Sequence, residues 1–378
     1  MEKSRNGYKR SFRALDVIIA VVFLGILFTF MFLNIITPSH DISSSERRKL
    51  AQFPNLTIDS LLNTEFMDGF EDYVLDQFTA RDEMRSLKSF VLFNLFNQKD
   101  NHNIYIVDGM VSKFETMRQE SFLSAVRKFK KPKDDYLGGT NVYFSLVPDK
   151  NYYLAGQNGY PTFDYEFIRD TVAGLDGMTH INLFDSLSIE DFYRTDLHWD
   201  QSRLESVVKA LGDAMGFSVD WGQLKANTLS PFYGAFYGQS ALNLRPDSIT
   251  YMTSAAIDSA QVLRLDEKTL EFVSVNMYDT NAMNGIDAYD LFLEGAAPLI
   301  TILNSDSSSN RELIVFRDSF GSSLAPLLTS AYSKITLIDF RYFASPLLDE
   351  YVYFRPDSDV LFLYSPQILN KSDTLLIV

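Results

Sequence analysis

Leu313-Ile314-Val315-Phe316-Arg317-Asp318-Ser319-Phe320-Gly321 is the stretch that sets the fold class. Its four leading apolar residues fit a strand buried on both faces, as in a parallel sheet covered by helices. The polar turn after it leads into Ser322–Tyr332, an expected helix in which Pro326 limits where the regular part starts. Ser319 thus falls at a strand-to-helix turn, beside the backbone N–H groups that a helix start leaves unpaired. Such donors can form an oxyanion hole. A serine there still needs a base to become a nucleophile.

The chain has four histidines. His40 follows a long apolar segment, His102 sits between Asn101 and Asn103, and His180 has no carboxylate nearer than Asp176. Only His198, in Tyr193-Arg194-Thr195-Asp196-Leu197-His198-Trp199-Asp200, has carboxylates two residues away on either side. In an extended loop, positions i and i+2 point the same way, so Asp196 can orient His198 through one ring nitrogen while the other faces Ser319. Arg194 and Trp199 are candidates to brace the loop. The competing reading makes His198 a hydrogen-bonded structural histidine and Ser319 a helix cap. No metal is expected at Asp196-x-His198-x-Asp200: zinc would want a second histidine or a cysteine, and calcium or magnesium would not need the imidazole. No cofactor is expected either.

Working outward, Asn141–Val147 reads as a second buried strand, ended by Pro148-Asp149-Lys150, and Ile181–Phe184 as a third. Arg203–Met215 has an apolar stripe at helical spacing, and Ile335–Ile338 and Val360–Tyr364 are further strands. Strands interleaved with helices predict an α/β layered domain. Ahead of it, Ile104–Val107 and Met110–Phe114 flank Asp108-Gly109 as a hairpin, and Ser121–Lys133 is a helix with a basic end. From Phe217 to Ser305 the pattern is mixed. Within it, the aromatic and glycine-rich Ser230–Ser240 fits a cleft lining or a packed loop equally well.

At the other end, Val17–Ile36 is an uncharged run of 20 residues, long enough to span the roughly 30 Å hydrocarbon layer. Lys3, Arg5, Lys9, Arg10 and Arg13 precede it, which predicts a single-pass anchor with a cytoplasmic N-terminus and everything after Ile36 outside. A cleaved signal peptide is the competitor, but Thr37-Pro38-Ser39-His40 has no small-x-small site. The polar Ser43–Lys49 reads as a tether, and Phe66–Phe96 as two helices broken near Thr79-Ala80. The expected organisation is a cytoplasmic segment (1–16), an anchor (17–36), a tether with helices (37–100) and the α/β domain (101–378).

Composition narrows the function classes. With 46% hydrophobic residues in 378, the chain can bury a full core. It has no cysteine, which excludes disulfides, thiolate catalysis and iron–sulfur clusters. The formal charge is −15, and the first 36 residues carry +3, so the rest carries −18. A body that acidic disfavours nucleic acid as a partner.

Taken together, the sequence resembles the DHHW proteins, similar to the AlgX and AlgJ group of alginate O-acetyltransferases in the SGNH hydrolase-like superfamily. The resemblance runs over about residues 43 to 365. It is carried by Ser45–Leu50, Asp76–Asp82, Val147–Lys150, Arg194–Trp199, Asp318–Gly321 and Ile338–Tyr342. It implies an SGNH-like three-layer α/β fold with a mostly parallel sheet in permuted order, the Asp–His pair preceding the serine. It also implies Asp196 as acid, His198 as base and Ser319 as nucleophile of an extracytoplasmic bacterial O-acetyltransferase. The partners implied are a cell-surface polysaccharide as acceptor and a multispanning membrane protein as acyl donor. The first histidine of the name-giving motif is Leu197 here. Gly234, Gly238 and Asn304 are candidates for the oxyanion donors, with Lys150, Arg194 and Trp199 for substrate binding. Two alternatives stay open: a carbohydrate or lipid esterase using the same three residues, and a non-catalytic glycan-binding scaffold.

Overall fold

The computed structural model describes residues 2–43, 46–305, 307 and 309–378, with only the backbone over 2–12. Ser44 and Ser45 of the expected tether lie outside the described residues, as do the side chains of Lys3, Arg5, Lys9 and Arg10. The chain forms two compact units, Met1–Val91 and Leu92–Val378.

In the first unit, helix α1 (Glu2–Ile36) includes the strongly apolar Arg13–Ile36, with none of it buried. It is long and apolar enough to cross a membrane. Pro38 follows and cannot continue the helix. The two-residue strands β1 (Ile42–Ser43) and β2 (Arg48–Lys49) pair antiparallel. Three helices come next: α2 (Ile58–Leu62), α3 (Glu65–Asp76) and α4 (Arg81–Phe90). The break between α3 and α4 falls where the spacing put it, and Ala80 there has a φ of 61°. Asp76 accepts from both Arg48 Nη atoms (2.7 and 2.5 Å) and from Ala51 N–H (2.8 Å), with Arg81 facing it across the turn at 3.8 Å. These charges hold the tether against the helices. Arg48 keeps the Asp76 carboxyl down at about 2.

The second unit opens with the hairpin β3 (Ile104–Val107) and β4 (Met110–Lys113). Asp108 and Gly109 both have positive φ (49° and 81°), the conformation a two-residue turn requires. Then follow α5 (Gln119–Tyr136), β5 (Asn141–Leu146), α6 (Lys150–Leu154), α7 (Tyr165–Ala173), β6 (Thr179–Asn182) and α8 (Glu205–Met215). Next are β7 (Lys225–Phe232), α9 (Ala235–Ser240), β8 (Asp247–Thr253), α10 (Ala255–Asp258), β9 (Gln261–Leu265), β10 (Phe272–Val275) and β11 (Leu299–Leu303). The chain closes through β12 (Glu312–Arg317), α11 (Phe320–Leu324), β13 (Lys334–Ile338) and β14 (Asp359–Tyr364).

Eight strands make one sheet in the order β10-β9-β11-β13-β12-β14-β5-β6. From β13 to β6 the pairings are parallel, and β11, β9 and β10 extend the sheet antiparallel. Alternate residues of β12 divide between two cores. Leu313 and Val315 pack with Val207, Val208 and Leu211 of α8 and with Leu324 of α11. Ile314 and Phe316 pack with Phe122, Val126 and Phe129 of α5 and with Ile168 of α7. Helices therefore cover both faces, giving the three-layer α/β arrangement with a mostly parallel sheet.

Three local readings change. The strand expected at Ile181–Phe184 lies at Thr179–Asn182, because the Asn182 side chain accepts from Phe184 N–H and turns the chain, although Leu183 and Phe184 stay buried. The helix after Ser319 begins at Phe320, and from Ala325 to Leu328, around Pro326, it is a 3₁₀ turn. The unread segment Phe217–Ser305 supplies the hairpin β7/β8 and the three antiparallel strands.

Candidate active site

Ser319 follows the C-terminal end of β12 and starts α11. Each residue of the turn has a task. Asp318 accepts Phe320 N–H on one oxygen (3.1 Å) and Ser365 N–H on the other (2.7 Å), tying the turn to the end of β14. Gly321 leaves room for the buried Arg317 side chain: a Cβ there would lie 2.8 Å from Arg317 Cβ. Phe320 packs edge-on to His198 at 5.0 Å and to Trp199 at 5.2 Å. Burial of the Arg317 guanidinium lowers its pKa, with Asp339 acting in the opposite sense.

The Asp196/His198 loop lies between β6 and α8 and is closed by an antiparallel bridge between Phe192 and Trp199. Asp196 is fully buried, His198 is nearly so, and Ser319 is partly exposed. Asp196 Oδ1 is 3.0 Å from His198 N–H and 2.6 Å from His198 Nδ1, while Oδ2 accepts Ala235 N–H at 2.7 Å. His198 Nε2 is 2.7 Å from Ser319 Oγ. A carboxylate can only accept, so Nδ1 carries the hydrogen and Nε2 of the neutral ring is left to accept from the serine hydroxyl. Asp200, the other carboxylate two residues from His198, instead caps the following turn, accepting from Ser202 N–H and Oγ–H.

Around this line the loop is held from several sides. Asp247 accepts Arg194 N–H and Nε–H on one oxygen (3.2 and 3.0 Å) and Thr195 N–H and Oγ1–H on the other (2.7 and 2.6 Å). Lys150 Nζ donates to the carbonyls of Val111, Tyr193 (2.8 Å), Arg194 (2.9 Å) and Asp196 (3.1 Å). Burial lowers the Lys150 pKa to about 7, against the pull of Asp196 and Asp247. Trp199 Nε1–H and Tyr289 Oη–H both donate to Ser323 Oγ at 2.8 Å, which fastens the histidine loop to α11.

The residues named from the sequence thus separate into groups. Asp196, His198 and Ser319 come together. Lys150, Arg194 and Trp199 brace the loop from behind, through the bonds just given. Gly234 packs against the same loop, where a Cβ would sit 2.4 Å from the Thr195 carbonyl, and its N–H donates to Thr195 Oγ1 (3.2 Å). Gly238 is buried in α9, and Ser230–Ser240 as a whole backs the loop through Phe236 N–H to Thr195 O. Asn304 is corrected as an oxyanion candidate. It follows β11, whose end at Leu303 pairs with Lys334 at the start of β13, beside the start of β12, so it lies at the opposite end of the strands from Ser319. Its amide donates to Thr329 O. Asp247, Tyr289 and Ser323 carry no motif that the sequence could have flagged. Among the described residues no cluster of histidine and carboxylate side chains could hold a metal ion.

No family model matches the sequence, and no curated protein matches it. Solved structures do. A DHHW family protein from Eubacterium siraeum is 19% identical with a TM-score of 0.60, over 73% of this chain and 94% of that one. Bacillus cereus PatB1 is 16% identical with a TM-score of 0.58, over 71% and 97%, and is also solved with a sulfonyl adduct. The O-acetyltransferase domain of Pseudomonas putida AlgJ is 12% identical with a TM-score of 0.42, over 71% and 92%. The fold is a three-layer α/β arrangement around a mostly parallel sheet. Within that class, the chain shares the arrangement of the DHHW family structure.

Proposed function

We propose that this chain is a membrane-anchored serine O-acyltransferase that acetylates an extracytoplasmic polysaccharide. The observation that carries the reading is the hydrogen-bonded line from buried Asp196 through His198 to the partly exposed Ser319. In the first half-reaction Ser319 Oγ gives its proton to His198 Nε2 and attacks the acyl carbonyl carbon. The tetrahedral adduct collapses with breakage of the bond to the leaving group, which takes the proton from His198. In the second half, His198 removes a proton from a sugar hydroxyl, whose oxygen attacks the acyl-serine; Ser319 Oγ departs and recovers that proton. Asp196 holds the ring in the required tautomer and stabilises the imidazolium.

The apolar α1 supports the anchor reading, with the basic residues before it directing the second unit outward. The acetyl donor would reach Ser319 through a multispanning membrane partner. The test is intact mass spectrometry of the full chain in detergent with an activated acetyl ester, alongside Ser319→Ala and His198→Ala. The reading requires a mass gain of one acetyl group that neither variant shows, discharged faster by candidate glycans than by water. Discharge by water alone would make the protein an esterase. No adduct, with turnover no better than the variants, would end the catalytic reading in favour of a glycan-binding scaffold.

A further inference from the structure

Helix α4 exposes large apolar residues among charged ones. Arg81 and Arg85 are turned inward onto Glu46 (2.6 and 3.3 Å), and Ser89 on the same side is buried, while Asp82, Glu83 and Lys88 are exposed. Its apolar residues Met84, Leu87 and Phe90 face outward, exposed at 45, 58 and 58%. A helix that faces only water keeps its large apolar residues on the inward side, whereas charged residues among exposed apolar ones suit a headgroup–acyl boundary. The feature is part of a larger bias. Among the described residues, 13 large hydrophobic side chains are exposed between residues 37 and 91, against 11 in the whole of Leu92–Val378.

What covers this surface follows from where it is attached. Phe78, in the α3–α4 turn, stacks on Phe30 of the apolar segment with ring centroids 5.4 Å apart. Next to it, Thr79 N–H donates to Asn34 Oδ1 at 2.7 Å. Phe30 is six residues short of Ile36, about 9 Å along the helix. With Ile36 at the hydrocarbon boundary, Phe78 lies about 9 Å below it, within the roughly 5–10 Å that interfacial helices reach, and α4 starts three residues later.

We propose that α4, with the α3–α4 turn, lies in the lipid headgroup–acyl boundary as a second membrane attachment, its Met84, Leu87 and Phe90 in contact with lipid. This rests on the anchor reading of α1. The neighbouring α3 carries Glu65, Asp68, Glu71 and Asp72, which repel anionic headgroups. Insertion is therefore driven by apolar area and owes nothing to lipid charge.

The chain has no native cysteine, so single probes can be placed cleanly in the full-length protein. Leu87→Cys, Phe90→Cys, Asp72→Cys as the exposed polar control and Leu24→Cys inside the span would each carry a polarity-sensitive fluorophore. The labelled proteins would be reconstituted in phosphatidylcholine vesicles, with and without phosphatidylglycerol. Quenching by acyl-chain nitroxide lipid is expected to be about two-fold or more stronger at positions 87 and 90 than at 72, and unchanged by the anionic lipid. Positions 87 and 90 quenched by aqueous iodide, with 24 quenched by lipid, would overturn this proposal and leave the anchor standing. Shielding of 87 and 90 from both quenchers would overturn it in favour of contact with a second copy. A Leu24 probe that lipid does not quench would overturn the anchor and this proposal together.

Discussion

Tyr289 lies flat on His198, the ring centroids 3.6 Å apart and the planes 5° from parallel. The contact fixes the plane of the imidazole, and Tyr289 is itself pinned through its hydroxyl to Ser323. Two bonds and a stack thus remove the freedom His198 would need to swing away from Ser319.

Truncation at position 289 should therefore separate packing from hydrogen bonding. Tyr289→Phe keeps the stack and is expected to stay within a few-fold of wild-type kcat/KM, with about 1 kcal/mol of stability lost. Tyr289→Ala frees the ring and should cost on the order of 10²-fold in kcat/KM. Ester turnover and denaturant melts of both variants check this; equal losses in the two would show that the stack is irrelevant.

Asp196→Asn is expected to be far worse than its size suggests. Both Asp196 oxygens accept, one from the His198 backbone and ring and one from Ala235 N–H, so an amide must aim its NH₂ at a donor. Turnover should fall about 10⁴-fold through the wrong tautomer. Near-normal ester turnover by this variant would show that the carboxylate does not set the ring.

At Gly234 the constraint is space rather than backbone angle, since its φ is −71°. Gly234→Ala drives a methyl into the Thr195 carbonyl and the Asp196 side chain. We expect a loss of about 1–3 kcal/mol in a denaturant melt and acyl-enzyme formation slowed on the order of 10²-fold. An unchanged acylation rate would mean the loop tolerates displacement.

Lys150 gives a pH dependence with a definite sign. In the folded protein its ammonium begins to lose its proton near pH 7, whereas in the unfolded chain it holds on to about 10.4. Between those values unfolding takes up a proton, so stability rises with pH, by at most ~1.4 kcal/mol per unit, and is lost as pH falls toward 7. The unfolding free energy of wild type minus that of Lys150→Met should climb over this window. A flat difference would mean the four carbonyls keep the ammonium charged throughout.

The parts of this architecture that could be read from the sequence were local ones. Val17–Ile36, the Asp108-Gly109 turn and the runs at 141–147 and 313–316 announce themselves through composition and period. His198 stood out because it alone has carboxylates two residues away on both sides. What escaped depends on distant partners. Asp247 meets Arg194 and Thr195 across some fifty residues, and Ser323 meets Trp199 across more than a hundred. Asn304 was misread because the end of the strands at which it falls depends on β11 running antiparallel, a direction no short stretch encodes. Leu183 and Phe184 are buried without being strand, so their apolar character pointed to the core and not to the ladder.

The position of β14 imposes an order of events during synthesis. It pairs with β5 on one side and β12 on the other, so it joins the half of the sheet that leads to His198 to the half that leads to Ser319. Yet it comprises residues 359–364 and emerges after every other strand of that sheet. A chain still being synthesised therefore carries His198 and Ser319 on two unjoined halves. On the catalytic reading proposed above, the nascent protein would stay silent until this last strand slots in, and a premature stop before it would yield an inert product.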